Sequence, residues 1–268
     1  MKPVHPGRGR APSPRPRPAA PSHETVEKEL RRLADSEIAD FLARFFKTGP
    51  GEYGDGDRFL GIRVPVLRKL AQKYRSLGLS DCRALLASPY HEALLLALLL
   101  LVQAYDGGSA EQREAIYRLY VDHIDRVNNW DLVDSSAEHI VGRHLENRKK
   151  TFLHGLAHSP SVFERRIAIM ATFRYVKAGS FDETLRIADM LLQDPHDLIH
   201  KAVGWMLREV GKRDRAAAEA FLRPRYRKMP RTLLRYAIER YPDDLRRRYL
   251  RGEVEPSAFT VTPASLRS

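Results

Sequence analysis

Apolar residues recur along this chain at spacings of three and four, the repeat that lines one face of an α-helix. The pattern predicts helices over 23–46, 64–76, 80–87, 91–105, 109–124, 129–146, 149–157, 161–178, 181–193, 196–211, 214–221 and 230–240, with a short one near 242–250. The period-two alternation of a half-buried strand is almost absent. Turn residues mark the breaks: GPGEYGDGD at 49–57, DGGS at 106–109, HSPS at 158–161, AGS at 178–180 and QDPHD at 193–197. The predicted fold class is all-α.

Apolar-rich helices begin near Glu92, Trp130, Arg165, His200 and Arg231, at steps of about 31–38 residues, and each follows a shorter, more polar helix. Paired helices at that period describe an α-solenoid of degenerate HEAT-like units. Such a stack presents a concave face built from one helix of each pair, a natural groove for a long ligand. The repeat domain is read as 23–250, between a Pro/Arg-rich tail over 1–22 and a C-terminal tail over 251–268. The tail MKPVHPGRGRAPSPRPRPAAPS is low in complexity and reads as a disordered basic arm.

Charge adds a partner to this picture. The 268 residues carry a formal +12. The 1–22 arm accounts for +5 of it through Lys2, Arg8, Arg10, Arg15 and Arg17, and the other +7 belongs to the folded part. An excess of this sign points to a polyanion, most simply nucleic acid. The lone cysteine, Cys82, excludes an internal disulfide and a four-cysteine metal site, and it fits a reducing, cytoplasmic setting. The run ALLLALLLLV at 93–102 is half the length of about 20 residues that a bilayer demands, so it reads as a core helix and no membrane partner is expected. The arginines at the N-terminus lack the apolar stretch of a secretory signal. The glycine-rich loop at 49–57 has no GK[ST] and follows no strand, so it is not read as a phosphate cradle.

Candidate chemistry begins in NNWDLVDSSAEHIVG, 128–142. Trp130, Val133, Ala137, Ile140, Val141 and His144 share one face of the helix, with Asn129 or Asp131 to cap it. Asp134 lies on that same face, one turn beyond Trp130. A buried carboxylate is costly unless paired. On pattern alone a structural ion pair is the commoner explanation; a functional acid at a groove wall is the sharper one. In ERRIAIMATFRYVKAG, 164–179, Arg166 falls on the line of Ile169, Phe173 and Val176, a cation in an apolar layer suited to a carboxylate or phosphate. In DLIHKAVGWMLREVGKRD, 197–214, Trp205 stands off the core stripe among Lys201, Arg208 and Glu209. It suits packing between repeats and contact with sugar and phosphate equally well. One acid, one arginine and both tryptophans thus fall on three successive helices. Electron-rich indole faces and a carboxylate suit a reaction that develops positive charge on a sugar, as glycosidic bond cleavage does.

NNWDLVD, RRIAI, DLIHKAVGWMLREVGK and MPRTLLRYAIERYP, together with FLGIRVPVLRKLA at 59–71, closely resemble the AlkD-type family of DNA alkylation repair glycosylases. The likeness covers about 23–245. It implies HEAT-like repeats wrapped around duplex DNA. It also implies excision of cationic bases such as 3-methyladenine and 7-methylguanine, without flipping the base. By the same likeness the Trp–Asp pair is Trp130 and Asp134, and the family's arginine and second tryptophan are Arg166 and Trp205. The implied enzyme is a monofunctional glycosylase of base excision repair with no cofactor and no metal. It acts as a monomer on duplex DNA that contains alkylated purines.

Phosphate contacts are expected from Lys201, Arg208 and Lys212, and from Arg225, Arg227, Lys228 and Arg231 in RPRYRKMPR; the last run reads about as well as a solvated loop. Two other classes compete. A noncatalytic helical-repeat scaffold explains the repeat but not the convergence of acid and indoles. A metal enzyme would draw on His154 with His158 or His196 with His200, both i, i+4, but neither pair has an acidic third ligand at a familiar interval. A lyase needs an amine near the sugar, for which Lys201 is the candidate by spacing.

Overall fold

A computed structural model describes residues 21–255. Among them no strand forms, and an isolated bridge joins Arg58 to Tyr90. The helices are α1 (His23–Arg32), α2 (Ser36–Phe45), α3 (Val64–Lys73), α4 (Leu79–Leu86), α5 (His91–Gly107), α6 (Ala110–Asp122), α7 (Trp130–Ser136) and α8 (Thr151–Ala157). They continue with α9 (Val162–Ala171), α10 (Phe173–Lys177), α11 (Asp182–Met190), α12 (Asp197–Arg213), α13 (Arg215–Leu222), α14 (Arg231–Ala237) and α15 (Asp243–Arg251). Short 3₁₀ turns fall at Ile124–Arg126 and Tyr226–Lys228.

The helices form the expected two-layer solenoid. In one layer α3, α5, α7, α9, α12 and α14 follow one another, each packed on the next. In the other, α4 and α6 lie on α5, α8 lies on α9, and α11 and α13 lie on α12. The apolar run of the sequence becomes α5, which is surrounded by helices of both layers. Its Leu94, Leu96, Leu98 and Leu101 are at most 2% exposed, which is why this helix is apolar all round. No helix of the described residues is long and apolar enough to cross a membrane.

Three predicted helices are each broken, for local reasons. The 23–46 segment divides at Asp35, whose N–H donates to Leu60 O (2.8 Å) and whose carboxylate caps α2 by accepting from Ile38 N (3.0 Å). The 161–178 segment bends at Thr172, whose hydroxyl donates back to Ile169 O (2.7 Å), a bond that competes with the helical ladder. The 129–146 segment widens into a π turn, Glu138–Gly142, where Gly142 N reaches Ala137 O (2.9 Å). A Cβ on Gly142 would lie 2.2 Å from Ala171 O, so α9 presses against backbone at this turn.

Gly204 does the same between α12 and α14: a Cβ there would lie 2.5 Å from Tyr236 Cβ and 2.6 Å from Leu233 O. Gly204→Ala is expected to cost about 1–3 kcal/mol of stability through overpacking, read as a lower urea midpoint at unchanged m-value. An unchanged midpoint would mean that the two helices can part freely.

Packing extends past residue 251, where the C-terminal tail is expected to begin. Val254 is buried, and Tyr226 Oη donates to Val254 O (2.8 Å) while accepting from Val254 N (3.2 Å). The expected tail segments 1–20 and 256–268 lie outside the described residues.

Candidate active site

α7 begins at Trp130 because Asn129 ends the preceding turn. Asn129 is fully buried, and its side-chain oxygen accepts from Trp130 N (2.9 Å). The Asn129 amide in turn donates to Asp57 of the glycine-rich loop (2.9 Å), as does Asn128 (2.9 Å). This fixes where the helix starts, and therefore where Trp130 and, one turn later, Asp134 point.

Asp134 meets Arg166 from α9 in a two-toothed pair: Nε donates to Oδ1 (2.9 Å) and Nη2 to Oδ2 (2.8 Å). Arg166 Nη1 donates to Leu198 O at the start of α12 (2.6 Å). The guanidinium side chain is 6% exposed and Asp134's is 18% exposed, so the acid and not the arginine faces open space. Burial raises the Asp134 carboxyl above the ordinary aspartate value, Arg166 opposes the rise, and nearby Asp131 adds to it. Two of the Arg166 donors are thus turned to Asp134.

A cavity of about 390 Å³ opens onto this pair, lined by Phe45, Lys47, Tyr53, Trp130, Asp134, Arg166, Leu198, Lys201, Trp205 and Tyr236. Both tryptophans are thus on the same wall system as the acid. Trp130 stacks on Phe46 (centroids 5.2 Å apart, 19°) and meets the edge of Phe45 (6.0 Å, 68°). Trp205 leans on Phe173 (5.9 Å). Lys201 pairs with Asp197 one turn before it (2.7 Å), which occupies the amine that spacing offered as a lyase nucleophile.

Five lining residues escape the sequence reading: Phe45, Lys47, Tyr53, Leu198 and Tyr236. Tyr53 is the centre of GPGEYGDGD, and it reaches across to Phe163 (6.5 Å) and His196 (6.2 Å), so the loop straps the cavity from the α2 side. Burial raises its phenol, with the Trp130 side chain and Lys201 opposing, and the group is a protonated donor at neutral pH. Lys47 follows α2 with φ of 53°, the left-handed region that lysine rarely enters, and it forms no ion pair. A lone tyrosine among glycines was the one available signal.

Residues 26–241 match the profile of the family described as DNA alkylation repair enzyme. The chain belongs to that family. A role in DNA alkylation repair, with DNA as the substrate, follows from this membership. A solved structure described as a "Predicted DNA alkylation repair enzyme from Enterococcus faecalis" is similar over 79% of this chain and 98% of that one, with a TM-score of 0.61 and 16% identity, a likeness of fold. No curated protein matches.

For a repair enzyme that must hold a polyanion, the state of each cation matters. Arg208 is paired with Glu239, and Lys212 with Glu209 (2.5 Å). Arg225 is paired with Asp189 (2.7 Å). Arg227 donates to Gly252 O (2.9 Å), and Arg231 to Leu250 O (2.8 Å). Lys228 is exposed with no ion pair, and none of these six lines the cavity. On α3 and its flanks Lys73 is paired with Glu29 (2.5 Å), but four other cations are not paired. Arg63, Arg68, Lys69 and Arg75 are exposed and form no ion pair, and Arg68 and Lys69 edge a groove of about 440 Å³ with Gln72, Leu99 and Gln103. The histidines are otherwise engaged: His154 with Glu183 (2.5 Å), His158 with His154 O (2.8 Å) and His200 with Asp194 O (2.5 Å), while His196 Nδ1 accepts from Leu198 N (3.1 Å). Among the described residues no three metal-ligating side chains cluster.

Proposed function

We propose that this protein is a monofunctional DNA glycosylase that hydrolyses the N-glycosidic bond of purines alkylated at N3 or N7, in duplex DNA and without flipping the base. The observation that carries this reading is Asp134, clamped by Arg166 and facing a cavity walled by Trp130 and Trp205. Alkylation at N3 or N7 leaves the purine positively charged. The C1′–N bond then breaks with its electron pair going to the base, which leaves neutral and requires no proton from the enzyme. Positive charge passes to C1′ and the ring oxygen of the sugar. A carboxylate and two electron-rich indole faces stabilise that charge where it develops. Water adds to C1′, with its proton lost to Asp134 or to solvent, and an abasic site remains. Arg166 holds both Asp134 oxygens toward this position without competing for the leaving base.

The reading is tested by incubating the protein with N-methylated duplex DNA. Release of free 7-methylguanine and 3-methyladenine is expected, with abasic sites left unnicked. Tight binding without release would favour a noncatalytic scaffold, and borohydride trapping of a covalent adduct would favour a lyase.

Phosphate contacts follow from the pairing of the cations. Free cations on and just after α3 are expected to release more counterions on binding than those already held by carboxylates or carbonyls. Replacing Arg68, Lys69 and Arg75 with Gln is expected to flatten the plot of log K against log salt by up to about 3, at roughly 0.9 per phosphate. The same change at Arg225, Arg227 and Arg231 is expected to flatten it by less than about 1. The reverse order, measured by anisotropy on undamaged duplex, would return the interface to the C-terminal run.

A further inference from the structure

His91, the first residue of α5, is 3% exposed yet carries no part of the chemistry above. Both of its ring nitrogens face carboxylates: Nδ1 faces Asp57 Oδ2 (3.3 Å) and Nε2 faces Asp131 Oδ2 (2.9 Å). An ionised carboxylate only accepts, so both nitrogens donate, and the ring is an imidazolium between two acids. The acids belong to the two segments that build the cavity. Asp57 closes the glycine-rich loop and also accepts from Asn128 and Asn129. Asp131 is the residue after Trp130, and its other oxygen accepts from Leu132 N (2.9 Å).

The faces of the same ring lead to Trp130. His91 stacks on Phe59 (4.6 Å, 26°) and lies against Phe46 (5.1 Å). Phe46 stacks in turn on the Trp130 indole. His91 therefore reaches Trp130 by two routes, one through charge at the first turn of α7 and one through stacked rings. The charged groups facing the ring are Asp57 from the loop and Asp131 from α7; the end of α2 offers Phe46, the residue just after it. Glu92, next along α5, is turned to the amides of Leu60, Gly61 and Ile62 (2.9, 2.8 and 3.1 Å).

We propose that His91, as an imidazolium held between Asp57 and Asp131, is a positioning residue that sets the Trp130 indole at the cavity wall. The link to catalysis rests on the glycosylase reading; the link to Trp130 does not. Without the proton, two buried carboxylates face each other across a neutral ring, and the loop and α7 are pushed apart. Burial works against the charge, but the bonds to Asp131 and Asp57 outweigh it and push the ring up to about 9. The clamp is thus whole at neutral pH and is lost as pH rises through that value.

The chain has two tryptophans, so a Trp205→Phe protein reports Trp130 alone. Its emission and acrylamide quenching are measured from pH 7 to 10, with helicity followed by circular dichroism. The expected result is a transition near pH 9 at constant helicity, with Trp130 more accessible at high pH. Adding His91→Gln is expected to remove the transition and leave Trp130 in the high-pH state throughout. In the otherwise native protein, His91→Gln is expected to slow single-turnover base release about tenfold or more with duplex affinity within a few-fold. A Trp130 signal that is flat across pH 7–10 in the Trp205→Phe protein overturns the proposal, as does one that His91→Gln leaves unchanged. Because the fluorescence needs no substrate, it decides on the clamp even if no base is released, and it does so on the histidine protein alone if His91→Gln does not fold.

Discussion

Asp134→Asn is expected to slow single-turnover release of 7-methylguanine from duplex DNA by about a hundred- to a thousandfold. The substitution keeps size and an acceptor oxygen but removes the charge that stabilises the sugar cation. It also places an amide NH₂ where Arg166 donates, so one of the two bonds from the guanidinium is lost. Duplex affinity is expected within about threefold of the parent, since the acid contacts no phosphate in this reading and repulsion falls slightly. The measurement pairs a release assay under enzyme excess with binding to undamaged duplex and a thermal melt. Full release by a folded Asp134→Asn protein would remove this residue from the chemistry and leave the scaffold reading in place.

Arg166→Ala is expected to be damaging in two separable ways. It leaves a carboxylate 18% exposed, with no partner, in a layer of apolar helices, at a cost of about 3–5 kcal/mol by chemical unfolding near neutral pH. It also moves the pH dependence of base release. Asp134 works as a carboxylate, so activity is present above its pKa and is lost as pH falls through it. Burial already holds that pKa above the ordinary value, and Arg166 is what lowers it. Removing the arginine therefore shifts the acid limb of the rate profile to higher pH, with release recovering as the medium is made more alkaline. An acid limb that stays in place would show that Arg166 does not tune Asp134.

Much of the architecture is written in short-range pattern. Helices over most of the chain, the pairing of polar with apolar helices and the burial of 93–102 all follow from where Leu, Ile, Val and Ala recur. The neighbourhood of Trp130 and Asp134 is legible for the same reason: residues four apart share a helix face whatever surrounds them. The Trp130–Asp134 pair and the positions of Arg166 and Trp205 on successive inner helices could thus be picked out before any packing was known.

Other features depend on groups far apart in the chain, and no local period encodes them. That Arg166 grips Asp134 is set by the distance between α7 and α9, and a third N–H donor goes to Leu198 O. The π turn at Glu138–Gly142 brings Gly142 against the backbone of α9, a contact that an isolated helix would not feel. Tyr53 enters the cavity only because its loop crosses to α9 and α12. Arg225 and Arg231 look like free cations in RPRYRKMPR, yet Asp189 and Leu250 O already hold them. His91 shows the division most clearly. Its place at the head of α5 is a matter of helix pattern, but its charge exists because two acids, one from a loop and one from another helix, meet at its two nitrogens. Periodicity is a property of one segment and survives in the bare sequence; ion pairing and burial belong to segments brought together, and they come into being only when the chain folds.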